Sequence, residues 1–394
     1  MLQLSFVNFR KGSYLVVEGK SESDRFFIIQ SGNVRAVKAT DTPGGSVKIL
    51  GPGDFVGVIP CMSGHSQIET IIALTDVTGI SVRRDQYPEL IMRNTPIAMK
   101  IIRSFANSMR SMNETLTKLT LNNVVADTPE HMFDVAEFYD KSGFSDIAIY
   151  AYYQYLKACP RGTYVEKAKE RFIVLKARTH AVFFESTPDL LRVYPKNTMI
   201  FSESQSGPDM FIIQDGQVKI SKVVNNNEVT LAMLKKGDMF GEMALLENKP
   251  RSASAIAHDQ CKLMVVNRQN FDLMVATQPQ LIARLTTMLA DRLWSMYRQI
   301  DNANLKDPLH KLIDMLALQV EKTKLNLTQA NVQYQSDLTA YDVANMCGIP
   351  KEQQAESLLR LQSDSHVRFV NGKILVPDCT ELVKQAAFYR KQNV

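Results

Sequence analysis

Between Phe240 and Ser254 the chain reads FGEMALLENKPRSAS. A glycine, Gly241, is followed at once by a carboxylate, Glu242, and then by the apolar run Met243, Ala244, Leu245 and Leu246. After a polar turn of Glu247, Asn248, Lys249 and Pro250 come Arg251 and the small residues Ser252, Ala253 and Ser254. Glycine lets the backbone turn sharply, and the first free N–H groups of a short helix point at an anion. Arg251 adds a fork of donors for two phosphate oxygens, while Ser252 and Ala253 keep the wall low. A carboxylate in the same pocket makes sense as the acceptor of a sugar hydroxyl. Glu242 for a ribose 2′-OH and Arg251 for a cyclic phosphate is the assignment these residue types support. The competing interpretation is a helical turn with a surface Glu–Arg pair, which gives no reason for the glycine and the small residues.

The segment closely resembles the phosphate-binding cassette of cyclic-nucleotide-binding domains, in the form with Arg-Ser-Ala after the proline. That form is similar to the one in bacterial cyclic-AMP receptor proteins. The resemblance implies that amides from Gly241 through Met243 to Ala244, and those of Ser252 and Ala253, join Arg251 at the phosphate. It implies cyclic AMP as an allosteric ligand rather than a cofactor. Cyclic GMP stays open, because a hydroxyl at Ser252 could also serve a guanine amino group.

The bulk composition permits this and excludes little. A chain of 394 residues implies two to four domains. Its 45% hydrophobic and 22% charged content are ordinary for a globular protein with ample core. The net charge of +5 permits a nucleic-acid partner without demanding one. Cys61, Cys159, Cys261, Cys347 and Cys379 are widely spaced with no CxxC pair, which reads as reduced core thiols rather than a disulfide frame or zinc site. The N-terminal MLQLSFVNFRKG lacks a signal-peptide core, and no apolar run approaches a membrane span. A cytoplasmic setting without a membrane partner is expected. No nucleophile–base constellation, metal-ligand spacing or P-loop points to an enzyme, so no catalytic or metal-binding residue is expected.

The elements that must hold the cassette occur twice. Short strands such as Tyr14 to Val17, Phe26 to Gln30, Val34 to Lys38 and Val47 to Leu50 are cut by Gly12, Gly32 and Pro43-Gly44-Gly45. This is the pattern of a β sandwich or jelly roll. Phe27-Ile28-Ile29-Gln30 then returns as Phe211-Ile212-Ile213-Gln214, Gly53-Asp54 as Gly237-Asp238, and Gly57 as Gly241, each pair 184 positions apart. The chain is therefore a duplication. Ile101, Phe105, Met109, Met112, Leu116 and Leu119 form a coiled-coil seam in a helix from about Ile97 to Leu121. Leu285, Leu289, Leu293, Met296 and Ile300 repeat it. At the same offset Glu242 faces Val58 and Arg251 faces Gln67. The first copy keeps the scaffold without either charged ligand, so it is expected not to bind a cyclic nucleotide, or to bind something else.

Between the copies, Ala136, Tyr139, Ala148, Tyr152 and Pro160 fall where a tetratricopeptide repeat has its packing residues and closing proline, with Gly143 near the turn. The resemblance covers one repeat plus a following helix, Tyr164 to Lys176. It is read as a helical spacer ahead of a peptide-binding module, since one repeat cannot bury a long groove.

Toward the C-terminus an amphipathic helix, Leu309 to Val320, precedes a capping-box start at Thr339 and Asp342 for a helix to Met346. Gly348 turns the chain, and Pro350 opens a second helix to about Leu361. Val367 to Val370 and Lys373 to Val376, joined by Asn371-Gly372, read as a tight hairpin. Helix, turn, helix, hairpin is a winged helix-turn-helix. The order again resembles the cyclic-AMP receptor protein family, from about residue 195 to 380. That resemblance implies double-stranded DNA as a partner, contacted by Lys351, Glu352, Gln353, Glu356 and Arg360 with Lys373 in the wing. Two departures stand out: Glu356 replaces an arginine for guanine, and Gln354 replaces an apolar anchor. From 304 to 394 there are 11 Lys or Arg against 10 Asp or Glu, net +1, a weak footing for phosphate contacts. In the long helix, Met296 and Tyr297 stand where the family reaches the base with small hydroxyls, so Tyr297 or Trp294 is expected to cover it.

The expected fold is thus α+β and multidomain: a degenerate cyclic-nucleotide-binding-like jelly roll with its helix (1–122) and a tetratricopeptide-like spacer (123–178), then a second jelly roll with its long helix (179–302) and a winged helix-turn-helix (303–394). The expected function is a cyclic-nucleotide-responsive transcription regulator, acting as a homodimer or as an internal pseudo-dimer of its two seam helices. The alternative is an adaptor that senses the nucleotide but contacts protein through the tetratricopeptide-like and winged-helix regions.

Overall fold

A computed structural model describes all residues except 1–3, 21–23, 39–47, 122–127, 186, 225, 328, 330, 371, 393 and 394. The Pro43-Gly44-Gly45 turn, Val47 and Asn371 lie outside the described residues. Two jelly-roll-like domains dominate. The first contains β1 (Ser5–Phe9), β2 (Tyr14–Val16), β3 (Arg25–Ser31), β4 (Val34–Val37), β5 (Lys48–Leu50), β6 (Phe55–Val56), α1 (Val58–Ser63), β7 (Thr70–Ala73) and β8 (Val77–Arg83). α2 (Tyr87–Arg93) and the long α3 (Thr95–Leu121) follow. Three helices come next, α4 (His131–Lys141), α5 (Ser145–Ala158) and α6 (Val165–Lys176).

The second roll contains β9 (Leu191–Tyr194), β10 (Met199–Phe201), β11 (Met210–Asp215), β12 (Val218–Val224), β13 (Asn227–Leu234), β14 (Met239–Phe240), α7 (Glu242–Glu247), β15 (Ser254–Ala257) and β16 (Cys261–Val266). It ends in α8 (Arg268–Thr277) and α9 (Pro279–Ala303). The C-terminal segment has α10 (Pro308–Lys322), β17 (Tyr334–Gln335), α11 (Ala340–Met346), α12 (Lys351–Gln362), β18 (Arg368–Val370), β19 (Lys373–Val376) and α13 (Cys379–Gln392).

The duplication holds at the level of strand register. The first roll pairs its strands in the orders β1-β8-β3-β6 and β2-β7-β4-β5; the second repeats them as β9-β16-β11-β14 and β10-β15-β12-β13. Phe27 lies opposite Ser81 and Val56, and Phe211 opposite Val265 and Phe240, the same pairs displaced by the repeat. Alternation explains why: Phe27, Ile29 and Val34 point into one core, Phe211, Ile213 and Val218 into the other.

The chain divides into two compact units, Met1–Met109 with Gln269–Asp301, and Arg110–Arg268 with Asn302–Asn393. Both long helices are cut by that division. The seam residues Ile101, Phe105, Met109, Met112 and Leu116 are buried, as are Leu285, Leu289, Leu293 and Met296; Leu119 is exposed.

Within the second unit, α4, α5 and α6 share one core with the second roll. Phe133, Ala136, Tyr139, Ala148 and Tyr152 cluster with Met199, Val223 and Ile256 of the sheet. The Tyr139 hydroxyl donates to Glu228 Oε1 at 2.7 Å, anchoring α4 to β13. The helices are therefore packed onto this roll rather than standing off from it, because their apolar faces need a partner surface. Gly143, at φ +81°, makes the turn between α4 and α5.

In the C-terminal segment the capping box forms, with the Asp342 N–H donating to Thr339 Oγ1 at 3.1 Å and the Thr339 N–H to Asp342 Oδ2 at 3.0 Å. Pro350 caps α12 from outside rather than occupying its first turn. Gln354 is buried, and its amide donates to Asn345 Oδ1 at 2.9 Å and the Ile349 carbonyl at 2.8 Å, so a polar anchor replaces an apolar one at no unpaired cost. α13, for which the sequence pattern gives no expectation, packs on α10 and pairs Arg390 with the buried Asp314.

Candidate functional site

The site is assembled at the N-terminus of α7. Strand β14 ends at Phe240, and Gly241 turns the chain at φ +78°, a left-handed conformation. A side chain there would have to displace its neighbours: a Cβ would sit 2.8 Å from Arg251 Nη1 and 3.1 Å from the Asp209 carbonyl. Asn248, also left-handed, ends α7 with its N–H on the Ala244 carbonyl at 3.0 Å.

Arg251 enters just before β15 and is nine-tenths buried, at 5% exposure. Its Nη1 donates to the Gly241 carbonyl at 2.7 Å and its Nη2 to the Asp209 carbonyl at 2.6 Å. The guanidinium lies 4.2 Å from the ring centre of Phe201. Nε makes no hydrogen bond with any described residue. Two carbonyls only partly offset the loss of water, and burial brings the guanidinium down to about 10 against the opposing pull of Asp209, Tyr150 and Glu242. A buried cation with a donor in reserve is prepared for an anion.

Glu242, at 1% exposure, opens α7, with Met243, Ala244 and Ala253 buried around it. Ser252 turns its hydroxyl toward Met243 Sδ at 3.6 Å. Gly241, Glu242, Met243, Ala244, Arg251, Ser252 and Ala253 are thus brought together as one group. A short helix N-terminus, a buried carboxylate and a buried arginine can together hold a phosphate and a sugar hydroxyl.

Two further residues join this group that sequence reasoning missed. Arg110 Nη2 donates to the Pro250 carbonyl at 3.0 Å, and Asn113 Nδ2 to Ser252 Oγ at 3.5 Å. Both belong to α3, the helix that grows from the first roll. Their spacing of three puts them on one helix face, but nothing local indicates which roll that face meets.

From the sequence, Tyr297 is expected to cover the base; the structure places it against residues of the first roll. It belongs to the first unit, with Lys38 Nζ 3.9 Å from its ring centre. It lines a cavity of about 150 Å³ with Val58 and Gln67. Trp294 likewise stacks on His65 at 3.9 Å and donates to the Ser66 carbonyl at 3.2 Å. The cause is that most of α9 packs with the first roll. Gly57 repeats the left-handed turn at φ +74°, so the first cassette keeps its shape around buried Gln67.

On α12, Lys351, Glu352, Gln353 and Glu356 are exposed, and Lys373 is exposed at the start of β19. Lys351 Nζ lies 5.9 Å from the ring centre of Phe138 in α4. Arg360 is paired with Asp307 Oδ2 at 2.8 Å.

The description "cyclic nucleotide-binding domain" matches residues 6–94 and again 191–278. The cyclic AMP receptor protein of Thermus thermophilus is 25% identical over 198 residues, covering 50% of this chain and 88% of that protein. A cAMP-dependent protein kinase regulatory subunit of Mycosarcoma maydis is 38% identical over 79 residues, 19% of this chain and 15% of that protein. Among solved structures, a transcriptional regulator of the CRP/FNR family, also from Thermus thermophilus, aligns at a TM-score of 0.40, with 21% identity over 50% of this chain and 98% of that one. Among the described residues no helix is long and apolar enough to cross a membrane, and no group of three or more His, Cys, Asp or Glu could hold a metal.

Proposed function

We propose that this chain is a cyclic-nucleotide-responsive transcription regulator, with cyclic AMP bound in the second roll controlling a C-terminal winged helix. The observation that carries the ligand assignment is the pairing of buried Glu242 with buried Arg251, whose Nε has no partner among the described residues. Glu242 takes the ribose hydroxyl; Arg251 and the amides of Gly241 to Ala244 and of Ser252 and Ala253 take the phosphate. Cyclic AMP is an effector here and not a cofactor, and no catalytic role is assigned. The similarity to cyclic AMP receptor proteins over half of the chain supports the regulatory output.

The test is calorimetry with cyclic AMP and cyclic GMP. One site that weakens at least tenfold in Arg251→Ala supports the assignment; unchanged affinity in that variant removes it. A DNA selection with and without nucleotide then tests Lys351, Glu352, Gln353, Glu356, Arg360 and Lys373 as the reading surface. The working location is the cytoplasm.

The chain acts as an internal pseudo-dimer in this reading. Support comes from two contacts, each within one unit: Arg110 and Asn113 of the first copy's helix at the second cassette, and Trp294 and Tyr297 of the second copy's helix at the first. A homodimer is the alternative, and light scattering separates a 44.4 kDa particle from one twice that mass.

A second reading, a nucleotide-sensing adaptor that contacts protein through the tetratricopeptide-like helices and the winged helix, draws on Lys351 and Arg360. Both make intramolecular contacts, to Phe138 and Asp307, that DNA would have to replace. Recovery of no DNA sequence with nucleotide present would favour it.

A further inference from the structure

Beside Arg251 a cavity of about 440 Å³ opens between the helices α4 and α5 and the second roll. That volume suits a small organic ligand. Its apolar walls are aromatic: Tyr150 from α5, Phe183 and Phe184 from the segment after α6, and Tyr194, Phe201 and Phe211 from the roll. Phe183 holds a left-handed backbone, φ +54°, while its ring packs on Tyr194 at 4.9 Å. A bulky residue held so is over-determined by its surroundings, as is common where a ligand clamp is built.

Several polar groups of the cavity are committed, and the carboxylate of Asp209, which also lines it, favours the charge on Arg251. Arg192 donates to the carbonyls of Thr187 and Asp189, at 2.9 and 3.2 Å. Lys157 is paired with Glu185. Gln205 donates to the Tyr150 hydroxyl at 3.3 Å and accepts from the Ser202 N–H at 2.9 Å. Arg251 remains, with its Nε unused among the described residues. Gly207, in the cavity wall, leaves that edge open: a Cβ there would lie 3.4 Å from Nη2 and 3.9 Å from Nε. Aromatic walls and one buried, uncommitted cationic donor define the ligand by its chemistry.

We propose that this cavity is a second small-molecule site, for a planar aromatic anion. The ring lies among Tyr150, Phe183 and Tyr194, and the anionic group takes the Nε edge of Arg251. One edge cannot serve two anions, so occupancy here opposes the cyclic phosphate at the cassette, a negative coupling felt equally from either side. The site stands without nucleotide binding; the competition rests on the function proposed above.

Calorimetry on the full chain tests both statements. The probes are 1-naphthoate, 1-naphthyl phosphate and the neutral 1-naphthamide at up to millimolar concentration; comparing the two anions tells a carboxylate ligand from a phosphate one. At least one anion is expected to bind, with the amide at least tenfold weaker. Ala158→Trp, at the cavity wall and outside the cassette, should weaken the anion at least tenfold while leaving the circular dichroism spectrum unchanged. If that variant does not fold, Ser206→Trp, also in the cavity lining, serves the same purpose. Saturating anion should raise the apparent Kd for cyclic AMP in the parent protein and not in the plugged variant. The site is overturned if neither anion binds, if the amide binds equally well, or if both folded tryptophan variants bind the anion as the parent does. Anion binding with unchanged cyclic AMP affinity overturns the shared use of Arg251. Anion binding without any cyclic AMP binding leaves the site standing and rejects the nucleotide reading instead.

Discussion

Arg110, in the helix that grows from the first roll, donates through Nη2 to the Pro250 carbonyl of the second roll's cassette at 3.0 Å. Asn113, three residues on, reaches Ser252 of the same cassette. The turn that presents Arg251 is thus held by a helix belonging to the other copy. Arg110→Ala should weaken cyclic AMP binding by about tenfold, the worth of one charge-assisted hydrogen bond that orders the turn before the ligand arrives. Calorimetry checks this, and an unchanged Kd would show that the cassette is ordered without α3.

Gly241 faces two constraints at once, a left-handed backbone and the 2.8 Å approach of Arg251 Nη1 to where a Cβ would be. Gly241→Ala should cost about 1 kcal/mol or more of stability from the backbone alone. It should also push Arg251 off its carbonyls and lower nucleotide affinity at least tenfold. A thermal melt and a titration read the two effects separately. A melt that shifts without loss of affinity would show that Arg251 tolerates the displacement.

The first roll repeats the cassette's shape without its charges, with Val58 and Gln67 in place of the glutamate and arginine. The full chain should therefore bind one equivalent of cyclic AMP, and Gln67→Ala should leave that affinity unchanged. Two equivalents with similar Kd would refute this.

His131 joins α4 to the second roll. Its Nε2 lies 3.6 Å from Glu203 Oε2 and its Nδ1 3.3 Å from Asp134 Oδ2, with Lys222 Nζ 4.0 Å from the same Glu203 oxygen. Burial opposes the charged imidazole, but Glu203 and Asp134 outweigh it and raise its pKa above the ordinary 6.5. A raised folded-state pKa gives stability that is fully present below the unfolded value and is lost as pH rises through the folded one. The melting temperature should therefore fall as pH rises from about 6.5 through the raised value, and His131→Gln should flatten that slope. A slope unchanged in the variant would assign the pH dependence to other groups.

Gln354 shows how a departure from pattern is absorbed. Removing its amide in Gln354→Ala leaves Asn345 and the Ile349 carbonyl without their buried donor, at a cost of about 1–3 kcal/mol. A denaturant titration followed by circular dichroism should place its midpoint lower, and a neutral result would mean water replaces the amide.

Much of this molecule is local and was therefore legible in its residues. Period-two alternation and glycine turns located the strands, and self-similarity at a fixed offset revealed two rolls whose register repeats residue for residue. Gly241, Glu242 and Arg251 lie within eleven positions of one another, so one turn and one short helix suffice to bring them together. The capping box at Thr339 is likewise a matter of four consecutive residues. What the sequence could not decide is which surface each long helix meets. Tyr297 and Arg110 sit on amphipathic faces that fit either roll equally well by pattern, because the two copies offer similar grooves. Only packing in three dimensions sends Tyr297 to the first roll and Arg110 to the second. The same holds for α4 to α6, whose apolar faces announce burial without naming a partner. Burial against the second roll is what creates the aromatic cavity beside Arg251, from residues as far apart as Tyr150 and Phe211. Short-range geometry is written in neighbouring residues; the choice between near-equivalent surfaces is a small difference in packing free energy summed over the whole fold.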